Sequence, residues 1–209
     1  MRWTLPNVLT VARLLAAPGV AVMFLYFSRP WADWLALALF IGAAVTDYFD
    51  GYLARLWKQE SKFGAMLDPI ADKAMVVIAL VVLTGYSGMN PWLILPATVI
   101  LFREVFVSGL REFIGADAGK LKVTKLAKWK TTAQMVAIAG LFLGTGLAFL
   151  EQGRAPRAGE GDLPTGVSPA DLANHVGLGL IWIAAVLTAI TGLDYFAKAL
   201  PFLRDPKDG

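Results

Sequence analysis

The chain has no cysteine and a single histidine, His175. Without cysteine there are no disulfides, no thiolate metal centres and no cysteine nucleophile. His175 stands far along the chain from the acidic residues described below, so a solvated or capping role is expected for it and no imidazole is expected in catalysis. Charge is also scarce. Only 17% of residues are Asp, Glu, Lys or Arg, against about a quarter in a soluble domain. The opening M-R-W-T-L-P-N lacks a basic stretch followed by a small-residue cleavage site, so no cleavable leader is expected. Internal repeats and low-complexity tracts are missing as well, and no nucleic-acid partner is expected.

What remains is mostly apolar. Hydrophobic residues make up 57% of the 209 positions, and the mean hydropathy is +0.60. Apolar segments fall at about 5–27, 34–56, 64–86, 91–113, 130–150 and 176–199, each near the roughly 20 residues needed to cross a bilayer. The pattern predicts an all-α polytopic membrane protein with six transmembrane helices. It forms one domain over 1–209, with a juxtamembrane start that carries Thr4, Asn7, Thr10 and Arg13 and a bend expected at Pro18. A polar, Gly/Pro-rich loop over about 151–175 is expected to be flexible and chemically quiet. Tryptophans near segment ends suit an interfacial belt.

Lys and Arg concentrate at the ends of the second, fourth and sixth segments: Arg55, Lys58 and Lys62; Arg111, Lys120, Lys122, Lys125, Lys128 and Lys130; Lys198, Arg204 and Lys207. The opposite side has Arg29, Arg154 and Arg157. The positive-inside rule then puts both termini in the cytoplasm. The end of segment two and the start of segment three open to the same side.

That junction holds the anomaly of the sequence. Between Asp47 and Asp72 the chain reads D-Y-F-D-G-Y-L-A-R-L-W-K-Q-E-S-K-F-G-A-M-L-D-P-I-A-D. A carboxylate at membrane depth costs about 2.5–3.5 kcal/mol even on the lenient insertion scale. Asp47, Asp50, Gly51 and Ala54 follow an i, i+3, i+4, i+7 spacing and share one helix face. Gly64, Asp68 and Asp72 recur every four residues on the next helix, with Pro69 tolerated in its first turns. Small residues beside the acids allow close approach to the backbone. Facing carboxylate stripes repel unless cations sit among them. Oxygen ligands without His or Cys suit Mg²⁺, Mn²⁺ or Ca²⁺ rather than zinc, and paired divalent ions recur in phosphoryl chemistry. A pairing of one Asp with Lys73 is the plainer alternative for a single residue.

The pattern Asp47-x2-Asp50-Gly51-x2-Ala54-Arg55-x8-Gly64-x3-Asp68-x3-Asp72 resembles the signature of the CDP-alcohol phosphatidyltransferases. The resemblance implies six transmembrane helices, a homodimer and a cytoplasm-facing site in the bacterial inner membrane. It implies that Asp47, Asp50, Asp68 and Asp72 bind metal, two ions of Mg²⁺ or Mn²⁺, with Asp72 also the general base. Gly51, Ala54, Arg55 and Gly64 would contact the cytidine nucleotide of CDP-diacylglycerol.

Further stretches bear on the substrates. Asn7, Thr10 and Arg13, three apart, could donate to the nucleotide phosphates or be ordinary interfacial residues. Arg103, inside an apolar run, needs an anion; Glu104, an aspartate or a substrate phosphate would serve. Arg111 follows two helical turns later. Lys128, Lys130, Thr131 and Gln134 open segment five and are assigned to substrate, whereas Lys120, Lys122 and Lys125 serve equally as topology signals or headgroup anchors. The groups N-x2-T-x2-R, D-Y-F-D-G, R-E-x6-R-E and K-x-K-T-x2-Q narrow the resemblance to members whose acceptor is sn-glycerol 3-phosphate. Arg103, Arg111, Lys128, Lys130, Thr131 and Gln134 would form its phosphate pocket. Phosphatidylglycerol, serine or inositol phosphate as acceptor stays open. A divalent-cation transporter is the reading from another class, disfavoured because the acids cluster at one mouth and no inverted repeat is present.

Overall fold

The computed structural model describes residues 4–57, 61–115, 119, 126–154 and 166–203, the side chains of 6, 47–57, 126–128 and 154 excepted. Its elements are helices: α1 (Leu5–Tyr26), α2 (Trp31–Trp57), α3 (Lys62–Tyr86), α4 (Pro91–Ile114), α5 (Leu126–Arg154) and α6 (Pro169–Leu203). No strand occurs among the described residues. The six helices take the expected segments in order. Four stretches, Asn7–Tyr26, Pro91–Ile114, Trp129–Gly153 and Pro169–Leu203, are long and apolar enough to cross a bilayer, and Trp31–Thr46 is a shorter apolar helix. Large apolar side chains such as Leu15, Leu25, Phe102, Val105 and Leu193 are exposed, as suits a polytopic membrane protein with lipid around it.

Capping explains where the helices begin. Ser61 accepts from the Gly64 N–H at 3.0 Å and starts α3. Asn90 accepts from the Trp92 N–H and, with Pro91 in the first turn, starts α4. Each side chain satisfies one of the orphan donors at a helix start. Helix α6 begins at Pro169 rather than 176 because Ser168 accepts from the Asp171 N–H at 3.0 Å. The S-P-A-D sequence there carries Ser before Pro and an acid in the first turn, a start signal readable in the sequence. His175 therefore lies within α6, exposed, its Nδ1 donating to the Asp171 carbonyl at 2.6 Å. Pro18 sits inside α1 without ending it.

Helix α1 packs on α2 and α3, α5 on α6 and α2, and α4 on α6. The central core joins Phe24, Phe40, Met75, Leu80, Ile100, Ile138, Phe142 and Ile181. Phe142 stacks on Phe24 at 5.8 Å and meets Phe40 at 6.0 Å. The α5–α6 contact depends on glycine. A Cβ on Gly177 would meet Leu141 at 2.9 Å, and one on Gly144 would meet Asn174 at 2.1 Å. Gly140 and Gly144 form a G-x-x-x-G step, which lets membrane helices approach closely.

One end of the bundle is closed by charge. Arg29, between α1 and α2, donates from Nε to Asp33 Oδ2 at 2.8 Å and from Nη2 to both Asp33 Oδ1 and the Thr145 carbonyl of α5. Its guanidinium also lies over the rings of Tyr86 and Phe149. Asp33 is fully buried. The acidic signature lies toward the other end of α2.

Candidate active site

The site begins where α1 and α3 run side by side in the same direction. Asn7, Thr10 and Arg13 are all buried, and each meets the signature stripe of α3 or its cap. Ser61 donates to Asn7 Oδ1 at 2.7 Å. Thr10 Oγ1 donates to Asp68 Oδ1 at 2.7 Å. Arg13 Nη1 donates to Asp72 Oδ1 at 2.8 Å. Residues three apart on α1 thus climb alongside residues four apart on α3. Gly64 is the small residue this requires, since a Cβ there would stand 2.8 Å from Asn7 Oδ1. Two α1 donors, Thr10 and Arg13, support the aspartates directly, and Asn7 holds the Ser61 cap. Buried Arg13 finds in half-exposed Asp72 the anion that a cation at this depth needs.

Asp72 faces a second group of residues. A cavity of about 230 Å³ is lined by Pro69, Asp72, Lys73 and Val76 of α3, Arg103 and Glu104 of α4, and Lys130, Thr131 and Gln134 of α5. Four of the residues assigned to the acceptor, Arg103, Lys130, Thr131 and Gln134, therefore share one space with the proposed base. Lys130 Nζ donates to Glu104 Oε1 at 2.7 Å, and Arg103 Nη1 reaches the same oxygen at 3.1 Å. Lys73 donates to Ser108 Oγ, which donates in turn to the Glu104 carbonyl at 2.5 Å. Arg103 Nε and Gln134 Oε1 are buried without a hydrogen-bond partner among the described residues. On its other side the Arg103 stem lies against Gly192 of α6, in an apolar groove with Phe102, Phe106 and Phe196.

The structure does not bring Arg111 to this cavity; it is exposed, its guanidinium 5.2 Å from the Tyr195 ring centre. Two charged residues outside the sequence assignment do line it. Glu104 was foreseen only as one partner for Arg103, and Lys73 only as a partner for an aspartate. The paired R-E steps of segment four held the signal for Glu104; Lys73, one residue after Asp72, carried none beyond its position.

The side chains of Asp47, Asp50, Gly51, Ala54, Arg55 and Lys128 lie outside the described residues, as do Lys120, Lys122 and Lys125. Helix α2 runs through 47–55. Among the described residues no three acidic or imidazole groups gather around one point. The signature set joins two described aspartates on α3 to two on α2. Its all-oxygen chemistry fits a hard divalent cation and not zinc.

A family model for CDP-alcohol phosphatidyltransferases matches residues 3–190. The chain belongs to this family. A relative from Cereibacter sphaeroides, named CDP-diacylglycerol–glycerol-3-phosphate 3-phosphatidyltransferase, is 73% identical over 99% of this chain and the whole of its own length. Relatives with that name from Shigella flexneri serotype 5b and Escherichia coli are 37% and 36% identical, each over 98% of this chain and their full length. The CDP-alcohol phosphatidyltransferase match spans both the α1–α3 stripe and the α4–α5 cavity, so membership rests on nearly the whole chain and not on the acidic signature alone.

Proposed function

We propose that this phosphatidyltransferase moves the phosphatidyl group of CDP-diacylglycerol to sn-glycerol 3-phosphate, giving phosphatidylglycerophosphate and CMP. The observation that carries the reading is the shared cavity: Asp72 of the signature and the cations Arg103 and Lys130 line the same space. An acceptor with a phosphate at one end and a hydroxyl at the other fits that arrangement. The phosphate pairs with Arg103 and Lys130, with Thr131 and Gln134 as further polar contacts, and the hydroxyl points to Asp72. A neutral acceptor would leave the buried cations without use. The names of the relatives favour the same acceptor.

Asp72 takes the proton of the glycerol 1-hydroxyl as its oxygen attacks the lipid-side phosphorus in line. The new P–O bond forms as the bond to the CMP oxygen breaks, without a covalent enzyme intermediate. Arg13 orients Asp72 through the 2.8 Å contact, and Thr10 does the same for Asp68. Asp47, Asp50, Asp68 and Asp72 would hold Mg²⁺ or Mn²⁺, two ions in our reading. Such ions, when bound, offset charge on the pyrophosphate and on the departing CMP oxygen. Gly51, Ala54, Arg55 and Gly64 would contact the nucleotide. The site opens to the cytoplasm of a bacterial inner membrane, by the basic ends of α2, α4 and α6, and the enzyme works as a homodimer, as the family resemblance implies.

The test is an acceptor panel. Purified protein with Mg²⁺ and CDP-diacylglycerol is offered glycerol 3-phosphate, phosphatidylglycerol, serine and inositol phosphate, and CMP release is followed. CMP release with glycerol 3-phosphate alone is expected. Release with another acceptor in its place would overturn the assignment.

A further inference from the structure

Glu104 has an unusual position for an acid in an anion pocket. Its carboxylate lines the cavity assigned to the acceptor phosphate, where a second anion would repel the first. Yet a single oxygen, Oε1, accepts from Lys130 of α5 at 2.7 Å and from Arg103 of its own helix at 3.1 Å. Its backbone carbonyl holds Ser108, which in turn accepts from Lys73 of α3. The cations of three helices are keyed to one residue.

We propose that Glu104 is a positioning residue for the acceptor phosphate, the internal counter-anion that holds Arg103 and Lys130 together before substrate arrives and yields them to the phosphate when it does. This rests on the phosphate-pocket reading above. Two cations sharing one partly buried oxygen would repel and separate without it, since charges withdrawn from water persist only when paired. With Glu104 in place the repulsion is already overcome, and the phosphate meets an assembled pair of donors, which is the gain from preorganisation.

Charge balance gives the second half of the argument. Arg13 and Asp72 offset each other. Among the lining residues Lys73, Arg103 and Lys130 stand against Asp72 and Glu104, one positive charge in excess, or two when Asp72 is taken with Arg13. A phosphate monoester carries about −1.5 to −2 at pH 7. Glu104 thus trims a three-cation pocket to the charge of a single phosphate. Arg103 Nε has no hydrogen-bond partner among the described residues, so Glu104 does not saturate this guanidinium.

The experiment compares Glu104→Gln and Glu104→Asp with the unaltered enzyme, using glycerol 3-phosphate as acceptor and inorganic phosphate as competitive inhibitor. For Glu104→Gln the acceptor KM is expected to rise at least tenfold and the inhibition constant for phosphate to rise by a similar factor. The KM for CDP-diacylglycerol should not move. Glu104→Asp keeps the charge but retracts it by one methylene, and its acceptor KM should fall between the two. Because Gln leaves two buried cations unpaired and can cost folded protein, Glu104→Asp alone is enough to decide. An acceptor KM within twofold of normal in whichever variant folds would overturn the proposal, as would a parallel rise in both KM values. A purely structural role would lower the yield and the unfolding temperature while leaving the KM of the folded fraction alone. Failure of the acceptor reading itself shows differently, as unaltered enzyme that releases no CMP with glycerol 3-phosphate.

Discussion

The two ends of the bundle each hold a partly buried arginine beside a carboxylate, and they treat it oppositely. At one end Arg29 is matched by a single carboxylate: Asp33 accepts from its Nε and Nη2, the Thr145 carbonyl also accepts from Nη2, and two aromatic rings lie against the guanidinium. One cation faces one fully buried anion, and the group fastens the α1–α2 turn to α5. At the other end Arg103 and Lys130 share a single oxygen of Glu104, and Arg103 Nε has no hydrogen-bond partner among the described residues. The first is a one-to-one pair that fastens the fold, although Arg29 too lines a cavity, of about 360 Å³. The second is under-neutralised and opens onto a cavity that also contains Asp72. Intramembrane charge alone therefore does not mark function; what marks it is charge left incompletely matched beside open space.

That contrast breaks most sharply at Asp72. Asp72→Asn removes the proposed base while keeping the side chain's shape and its ability to accept from Arg13. The expected loss in kcat is about 10²–10⁴-fold, the usual worth of a positioned general base. Far-ultraviolet circular dichroism should stay close to normal, while the unfolding temperature should fall because buried Arg13 loses its counter-anion. CMP release at the original rate would remove Asp72 from its role. The corresponding change at the closed end behaves in reverse. Asp33→Ala strands a partly exposed guanidinium, so the cost should lie below that of breaking a fully buried pair, about 3–5 kcal/mol. Thermal unfolding in detergent should show the loss. The KM values of whatever folded protein survives should not change. A shifted acceptor KM there would mean that the two ends are coupled.

How much of this contrast could be read in advance differs by element. The spacing of Gly64, Asp68 and Asp72 exposed the α3 stripe because helical periodicity is local. Arg103 stood out because charge inside an apolar run is costly, and Lys130 because it stands beside hydroxyls and an amide at the start of a segment. The pairing of Asn7, Thr10 and Arg13 with α3 was not foreseen, because two stripes of different step meet only once α1 and α3 are placed side by side. Two of these pairings were nevertheless in the sequence, with Thr10 and Arg13 as donors on one helix and Asp68 and Asp72 as acceptors on the other. Glu104 was visible as a neighbour of Arg103, but its bond to Lys130 crosses from α4 to α5, and no local pattern reports that. The start of α6 was readable and was overlooked: S-P-A-D caps a helix whether or not the residues that follow are apolar. For Asp47, Asp50, Arg55 and Lys128 the sequence remains the sole guide, since their side chains lie outside the described residues.

The gentlest way to sharpen the comparison leaves every charge in place. Gly192 of α6 touches neither Asp72 nor the cavity, but a Cβ there would stand 2.9 Å from Arg103 Cγ. Real Cβ atoms do not tolerate that distance, so Gly192→Ala must push the Arg103 stem off its seat while Glu104 and Lys130 keep their places. If the pocket's value lies in aim rather than in charge alone, the acceptor KM should rise about three- to tenfold, about 0.7–1.4 kcal/mol of binding. The KM for CDP-diacylglycerol should not change, because Arg103 does not reach the α1–α3 stripe. Glycine to alanine in a helix interior is itself favourable by about 0.8–1.0 kcal/mol, so the fold should not suffer from propensity. An unchanged acceptor KM would mean that Arg103 acts through its charge wherever its guanidinium sits, and the distinction between a closed pair and an aimed one would lose its meaning at this residue.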